Sequence, residues 1–102
     1  MEIKISDLVG SRALTLEDGD RLHSLIIQPL KTGTIVELDF AGVTDVSTAF
    51  LNTAVGQLYA ELPPSALRRL LQIANLNESG QRSLEKVLMY ARRYYQVDIQ
   101  EA

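Results

Sequence analysis

The sequence has 102 residues, with ten Lys and Arg, thirteen Asp and Glu and one His, for a formal net charge of −3. Hydrophobic residues make up 46% and charged residues 23%, the composition of a globular chain of single-domain size. With no cysteine and a lone histidine, disulfides, thiolate-bound zinc and two-histidine metal sites are excluded, and no apolar run approaches the ~18 residues of a membrane span.

Glu2-Ile3-Lys4-Ile5 alternates as a half-buried strand does, and Ser11-Arg12-Ala13-Leu14 reads as a second short extended piece after Gly10. A helix comes next, with Thr15 as N-cap, Glu17 and Asp18 in its first turn, and an apolar stripe of Leu16, Leu22, Ile26, Ile27 and Leu30. Gly19 lies on that stripe, where a missing side chain suits the close approach of another backbone. Pro29 is expected to kink or stop the helix, with Lys31-Thr32-Gly33 as its exit.

Thr34–Phe40 is the clearest strand, rich in β-branched residues and preceded by a glycine turn. Ala41 to Val46 forms a loop around Gly42. The next helix is expected from Thr48 to Leu62, capped by Ser47, with Phe50, Leu51, Ala54, Val55, Leu58 and Leu62 inward. Pro63-Pro64 ends it.

Leu70–Ala74 is short enough to be a buried strand or the middle of a helix, and periodicity does not separate the two. Asn75 to Gly80 is a loop in which Asn77 or Ser79 can cap the last helix. That helix reaches about Tyr95, with Leu84, Val87, Leu88, Ala91 and Tyr95 on one face, and Val97-Asp98-Ile99 fits a short edge strand. With Leu70–Ala74 as a strand, helices and strands alternate and predict a parallel or mixed sheet with helices packed on it. With it as a helix, the last third becomes a helix–turn–helix.

Charge is asymmetric. Residues 1–66 hold four basic and nine acidic side chains, whereas residues 67–102 hold six basic and four acidic. The start of the chain shows no basic stretch followed by an apolar block, so the expected location is the cytoplasm. The mild acidity argues against nucleic acid or membrane as the main partner.

The stretch with most chemistry is Val36 to Leu51. A strand enters a short loop, and the loop delivers the hydroxyls of Ser47 and Thr48 to a helix N-terminus, where free amides and the helix dipole favour a phosphate. A hydroxyl there is open to phosphorylation, which adds roughly −1.5 to −2 charge. The plainer role for Ser47 is an N-cap. Glu37, Asp39 and Asp45 suggest an acid–base or metal cluster at most weakly, against the plainer reading of a strand end and a turn. His23 reads as a partly buried, hydrogen-bonded residue rather than a phosphocarrier. Tyr90, Tyr94 and Tyr95 beside Arg92 and Arg93 suit a base-stacking surface or a protein interface. No phosphate loop or nucleophile elbow is present, so no catalytic residue, metal or cofactor is expected.

Asp39-Phe40-Ala41-Gly42-Val43, Ser47-Thr48-Ala49-Phe50-Leu51, Gly10 with Glu17-Asp18-Gly19, and Ile73-Ala74-Asn75 together resemble a STAS-like family of unknown function. That family is related to STAS domains of the anti-sigma factor antagonist type, and the resemblance spans about residues 8–92. It implies a compact α/β domain over residues 1–102, with a small mixed sheet, about three helices on it, and Leu70–Ala74 as a strand beside Thr34–Phe40.

It also implies a non-catalytic partner switch. The domain would bind a regulatory kinase or anti-sigma-like ATPase, and phosphorylation would break the contact. The family's Asp-Ser pair falls here on Ser47-Thr48, so Ser47 stands in the acidic place and Thr48 in that of the phosphorylated serine, while Phe50 replaces a following glycine. Thr48 and Ser47 are thus the phosphoacceptor candidates, and Val46, Ser47, Thr48 and Phe50 the partner-binding residues. The alternative is a nucleic-acid-binding module whose helix–turn–helix spans Ser65–Ala74 and Gln81–Tyr95.

Overall fold

The structure is a computed structural model that describes residues 1–95. The expected edge strand Val97-Asp98-Ile99 lies outside the described residues. In chain order the elements are β1 (Glu2–Lys4), α1 (Ile5–Val9), β2 (Arg12–Ala13), α2 (Leu16–Lys31), β3 (Val36–Asp39), β4 (Asp45–Val46) and α3 (Thr48–Ala54). A 3₁₀ turn (Gly56–Ala60), α4 (Pro64–Leu70), β5 (Leu71–Ala74) and α5 (Glu78–Tyr95) complete the order.

β1, β3 and β5 form one sheet with β3 in the centre, and β2 pairs with β4 in a second. Both sheets are wholly parallel rather than mixed. The register sets Ile3 beside Leu38 beside Ile73, and Val36 beside Leu71. Residues in register share a face, so this face is apolar and packs on the core, where Val36, Leu38 and Phe40 are buried. Glu2, Glu37 and Gln72 form a row on the other face, and Lys4 with Asp39 a second, with Glu2, Lys4 and Gln72 open to solvent. A one-sided parallel sheet departs from the usual doubly covered kind, and its polar alternation is what allows it.

Five helices are described, against the three expected. The first unexpected one, α1, turns directly out of β1: Ile5 is buried, Leu8 and Val9 are half-buried, and Gly10 closes the turn by donating to the Ser6 carbonyl (2.9 Å) at φ +84°. The second, α4, uses the residue expected as a stop. Pro64 occupies its first turn, where a missing N–H costs nothing, and the Pro63 carbonyl accepts from the amides of Ala66 and Leu67.

α2 begins as the sequence predicts, the Thr15 hydroxyl accepting from the Asp18 amide at 3.1 Å. Its buried stripe is Gly19, Leu22, Ile26 and Leu30, while Leu16 stays 61% exposed. Pro29 does not stop it, because in the last turn a proline removes only the bond to the Leu25 carbonyl. Thr32 finishes the helix, its hydroxyl donating to the carbonyls of Gln28 and Pro29.

α2 packs on α3 through Gly19. A Cβ built there would stand 2.6 Å from the Phe50 carbonyl oxygen and 3.0 Å from the Thr53 Cβ. The expected helix from Thr48 to Leu62 is divided: the α-helix ends at Ala54 and tightens into the 3₁₀ turn, which keeps Leu58 buried.

Leu71–Ala74 is a strand, parallel to β3, but half-buried rather than buried. It removes the helix–turn–helix, since Pro64–Leu70 and α5 are separated by a sheet strand and not by a turn. The nucleic-acid reading that depended on that motif falls with it.

Candidate functional site: the loop-to-helix junction

The loop leaves β3 through an Asp-anchored turn. Asp39 Oδ1 accepts from the Ala41 amide (2.9 Å) and from Asn75 Nδ2 (2.8 Å), so it ties the ends of β3 and β5 together. The Asn75 hydrogen bond, and after it that of Ala41, holds the Asp39 carboxyl below its ordinary value. Asn75 takes a positive φ of 60°, tolerated by an asparagine.

The rest of the loop is clasped from two sides. Thr44 donates its amide (2.8 Å) and its hydroxyl (3.2 Å) to the Ser11 carbonyl, and the Ser47 amide donates to Ala13 (3.0 Å). Arg12 pairs with Asp45 at 3.5 Å beside the β2–β4 register. From the other side Asn77 Nδ2 donates to the Thr44 carbonyl (3.1 Å), while its Oδ1 caps α5 at the Gly80 amide (2.7 Å).

The two hydroxyls at the junction differ in kind. Ser47 Oγ accepts from the Phe50 amide (3.0 Å) as the expected cap, and donates to the Leu14 carbonyl (2.8 Å). Both its capacities are engaged. Thr48 is exposed and its hydroxyl has no hydrogen-bond partner among the described residues. It lines an open groove of about 310 Å³ with Ala49, Asn52, Lys86, Val87 and Tyr90.

Val46 is half-buried beside it. Phe50 is fully buried and therefore not a contact residue: its ring supports the junction from within the core. Sequence reasoning singled out Tyr90 for an interface but did not bring it, or Lys86, to Thr48 as the α5 wall of this groove. The residue types are plain in the sequence, but their meeting with Thr48 is a tertiary fact.

Of the remaining candidates, Asp39 and Asp45 anchor the loop, Tyr90 lines its groove, and Glu37 and His23 lie elsewhere. Glu37 faces Glu2 and Gln72 in the sheet register, Asp39 is held by Asn75, and Asp45 by Arg12. Among the described residues no group of three His, Asp or Glu is placed to hold a metal. His23 Nε2 lies 3.2 Å from Glu61 Oε2, with its Nδ1 buried and unpartnered. Lys31 approaches the same carboxylate at 3.0 Å, and the Lys31 bond chiefly, with that of His23, lowers the Glu61 pKa against a smaller opposing effect of burial. Tyr90, Tyr94 and Tyr95 adjoin one another along the end of α5 with tilted rings, at centroid separations of 6.0 and 4.8 Å.

A one-sided parallel sheet, with a clasped loop feeding a capped helix, is an α/β architecture of STAS-like type. The chain belongs to the family described as the STAS-like domain of unknown function, whose model matches residues 18–81. No curated protein matches the chain. No solved structure matches it either. Among the described residues no helix is long and apolar enough to cross a membrane.

Proposed function

We propose that this chain is a non-catalytic protein-interaction domain working as a phosphorylation-controlled partner switch in the cytoplasm, similar to anti-sigma factor antagonists. Its partner is a regulatory kinase or anti-sigma-like ATPase, which brings the ATP, so the domain itself needs no cofactor. The contact surface is Val46, Thr48, Ala49 and Asn52 together with Lys86 and Tyr90 across the groove. One observation carries this reading: of the two adjacent hydroxyls, Ser47's is engaged in the fold and Thr48's is free on a rigid, open surface.

A phosphate on Thr48 would leave every hydrogen bond of the junction in place. On an open groove it stays hydrated and lies near Lys86. Under a docked partner it must be desolvated, and the contact is lost. Ser47 would lose its cap and its bond to Leu14 on modification, so Thr48 is the phosphoacceptor of the pair.

The test is affinity capture from cell extract with the parent, Ser47→Ala and Thr48→Glu proteins as baits, melting curves serving as folding controls. The expected result is an ATPase of the kinase type retained by the parent and by Ser47→Ala, and lost by Thr48→Glu. Equal capture by Thr48→Glu and the parent removes the junction as the switch.

A further inference from the structure

The last strand of the sheet ends in an open edge. The Phe40 amide donates to the Ala74 carbonyl at 2.9 Å, which fixes the side of β5 that faces β3. Alternate residues turn their backbone groups to opposite neighbours, so Ile73 directs its N–H and C=O away from β3. No strand pairs there among the described residues. Natural sheets guard such edges with lysine, proline or a bulge. Leu71-Gln72-Ile73-Ala74 has none of these.

Beside this edge lies an apolar hollow. Two depressions, of about 440 and 190 Å³, share Ile73, Leu84 and Leu88, and Leu67 and Leu71 extend the floor. Leu71, Ile73, Leu84 and Leu88 are each half-buried, packed on the core below and open above. Arg68 stands on its rim. Across Glu85 and Leu88 the surface continues to Lys86, Arg92 and Arg93. None of these four cations has an ion-pair partner among the described residues, whereas Arg82 is paired with Glu78 at 3.3 Å.

We propose that the free edge of β5 is a second docking surface, separate from the Thr48 groove, and that it takes an extended acidic segment of a protein partner as an added strand. The backbone groups of Ile73 supply the pairing. The hollow takes apolar side chains at every second position of the guest, since strand residues alternate in direction. The unpaired Arg68, Arg92 and Arg93 select acidic residues at the other positions and the ends, while Lys86 belongs to the Thr48 groove. The two surfaces lie on different sides of α5: Lys86, Val87 and Tyr90 meet Thr48, and Leu84 and Leu88 meet β5.

The probe is a labelled synthetic peptide, Glu-Val-Asp-Ile-Glu-Val-Glu, titrated against the full chain by fluorescence anisotropy. The control has the same composition with its three apolar residues adjacent. The alternating peptide is expected to bind at least tenfold tighter, with the Ile73 amide newly protected from hydrogen exchange. Ile73→Pro, which removes the outward N–H while sparing the β3 ladder, should weaken binding tenfold or more. Arg68→Glu, an exposed change that the fold tolerates, should weaken it at least fivefold and flatten its salt dependence. Equal binding of the two peptides overturns the proposal, as does unchanged binding by Arg68→Glu. An Ile73 amide already protected in the free chain also overturns it, because the edge is then filled by the chain itself or by a second copy.

Discussion

At Ser47 one hydroxyl makes two contacts: it accepts from Phe50 in the next helix and donates to Leu14, 33 residues earlier. The cap was legible in the sequence, because a serine before a helical apolar pattern has that local use. The bond to Leu14 was not, since nothing in the sequence says which carbonyl will come near. Ser47→Ala removes both and leaves a half-buried carbonyl short of a donor. It should cost about 1–2 kcal/mol, read from the urea midpoint at unchanged slope. Asp39 gives a second test. Its folded pKa is lowered, so its contribution to stability is full above the unfolded value of about 3.9 and is lost as pH falls through the folded one. The Asn75 side chain is the largest cause. Asn75→Gly keeps the positive φ and deletes the amide, so the Asp39 titration midpoint in a carboxyl NMR titration should rise. A midpoint that stays put would refute the assignment.

At the scale of elements, α2 and α3 meet where Gly19 brings α2 against the Phe50 carbonyl. Glycine inside a helix ordinarily costs about 1 kcal/mol relative to alanine, so Gly19→Ala on an open helix would stabilise. Here the added methyl would lie 2.6 Å from a backbone oxygen that belongs to a capped helix and cannot swing aside. The expected net effect is a destabilisation of about 1–3 kcal/mol by thermal or urea melting, the sign opposite to propensity. The long amphipathic helices α2 and α5 stand where periodicity places them, and β3 lies within the β-branched stretch Thr34–Phe40. α1 and α4 were not legible. Five residues show no period, and the first of them, Ile5, continues the strand alternation of β1. Pro63-Pro64 signals an end and a beginning equally well, and only packing of Leu67 and Leu70 into the core decides for a new helix. Leu71–Ala74 was beyond periodicity altogether. Resemblance resolved it, and the register with β3 is the physical reason.

At the scale of the molecule, the acidic and basic halves of the chain take different places. Glu2, Glu37 and Asp39 share the uncovered face of the sheet, while Arg68 and Arg69 end α4 and Arg92 and Arg93 end α5. The sequence showed the asymmetry but not its geometry, and the same limit held for the site: Ser47 and Thr48 were found, Phe50 was named for the contact although its apolar stripe points it into the core, and the meeting of Lys86 and Tyr90 with Thr48 was not legible. The geometry bears directly on nucleic acid. A helix–turn–helix needs a recognition helix that enters a groove behind a first helix and a turn, and here the strand β5 stands where the motif would have needed a helix. The cations left over lie at two helix ends, with Lys86 in the middle of α5, and they act against a net charge of −3. Only a few can meet phosphates together, so the electrostatic attraction is small and its salt slope shallow, roughly −0.9 per phosphate neutralised. Duplex DNA should therefore bind only weakly at ~150 mM salt and without sequence preference. Titration of several unrelated duplexes at about 50 and 200 mM salt checks this. Tight binding to one sequence that survives the higher salt would mean that the basic ends of α4 and α5 form a reading surface, and the acidic strand-edge guest would then be the wrong occupant for the same charges.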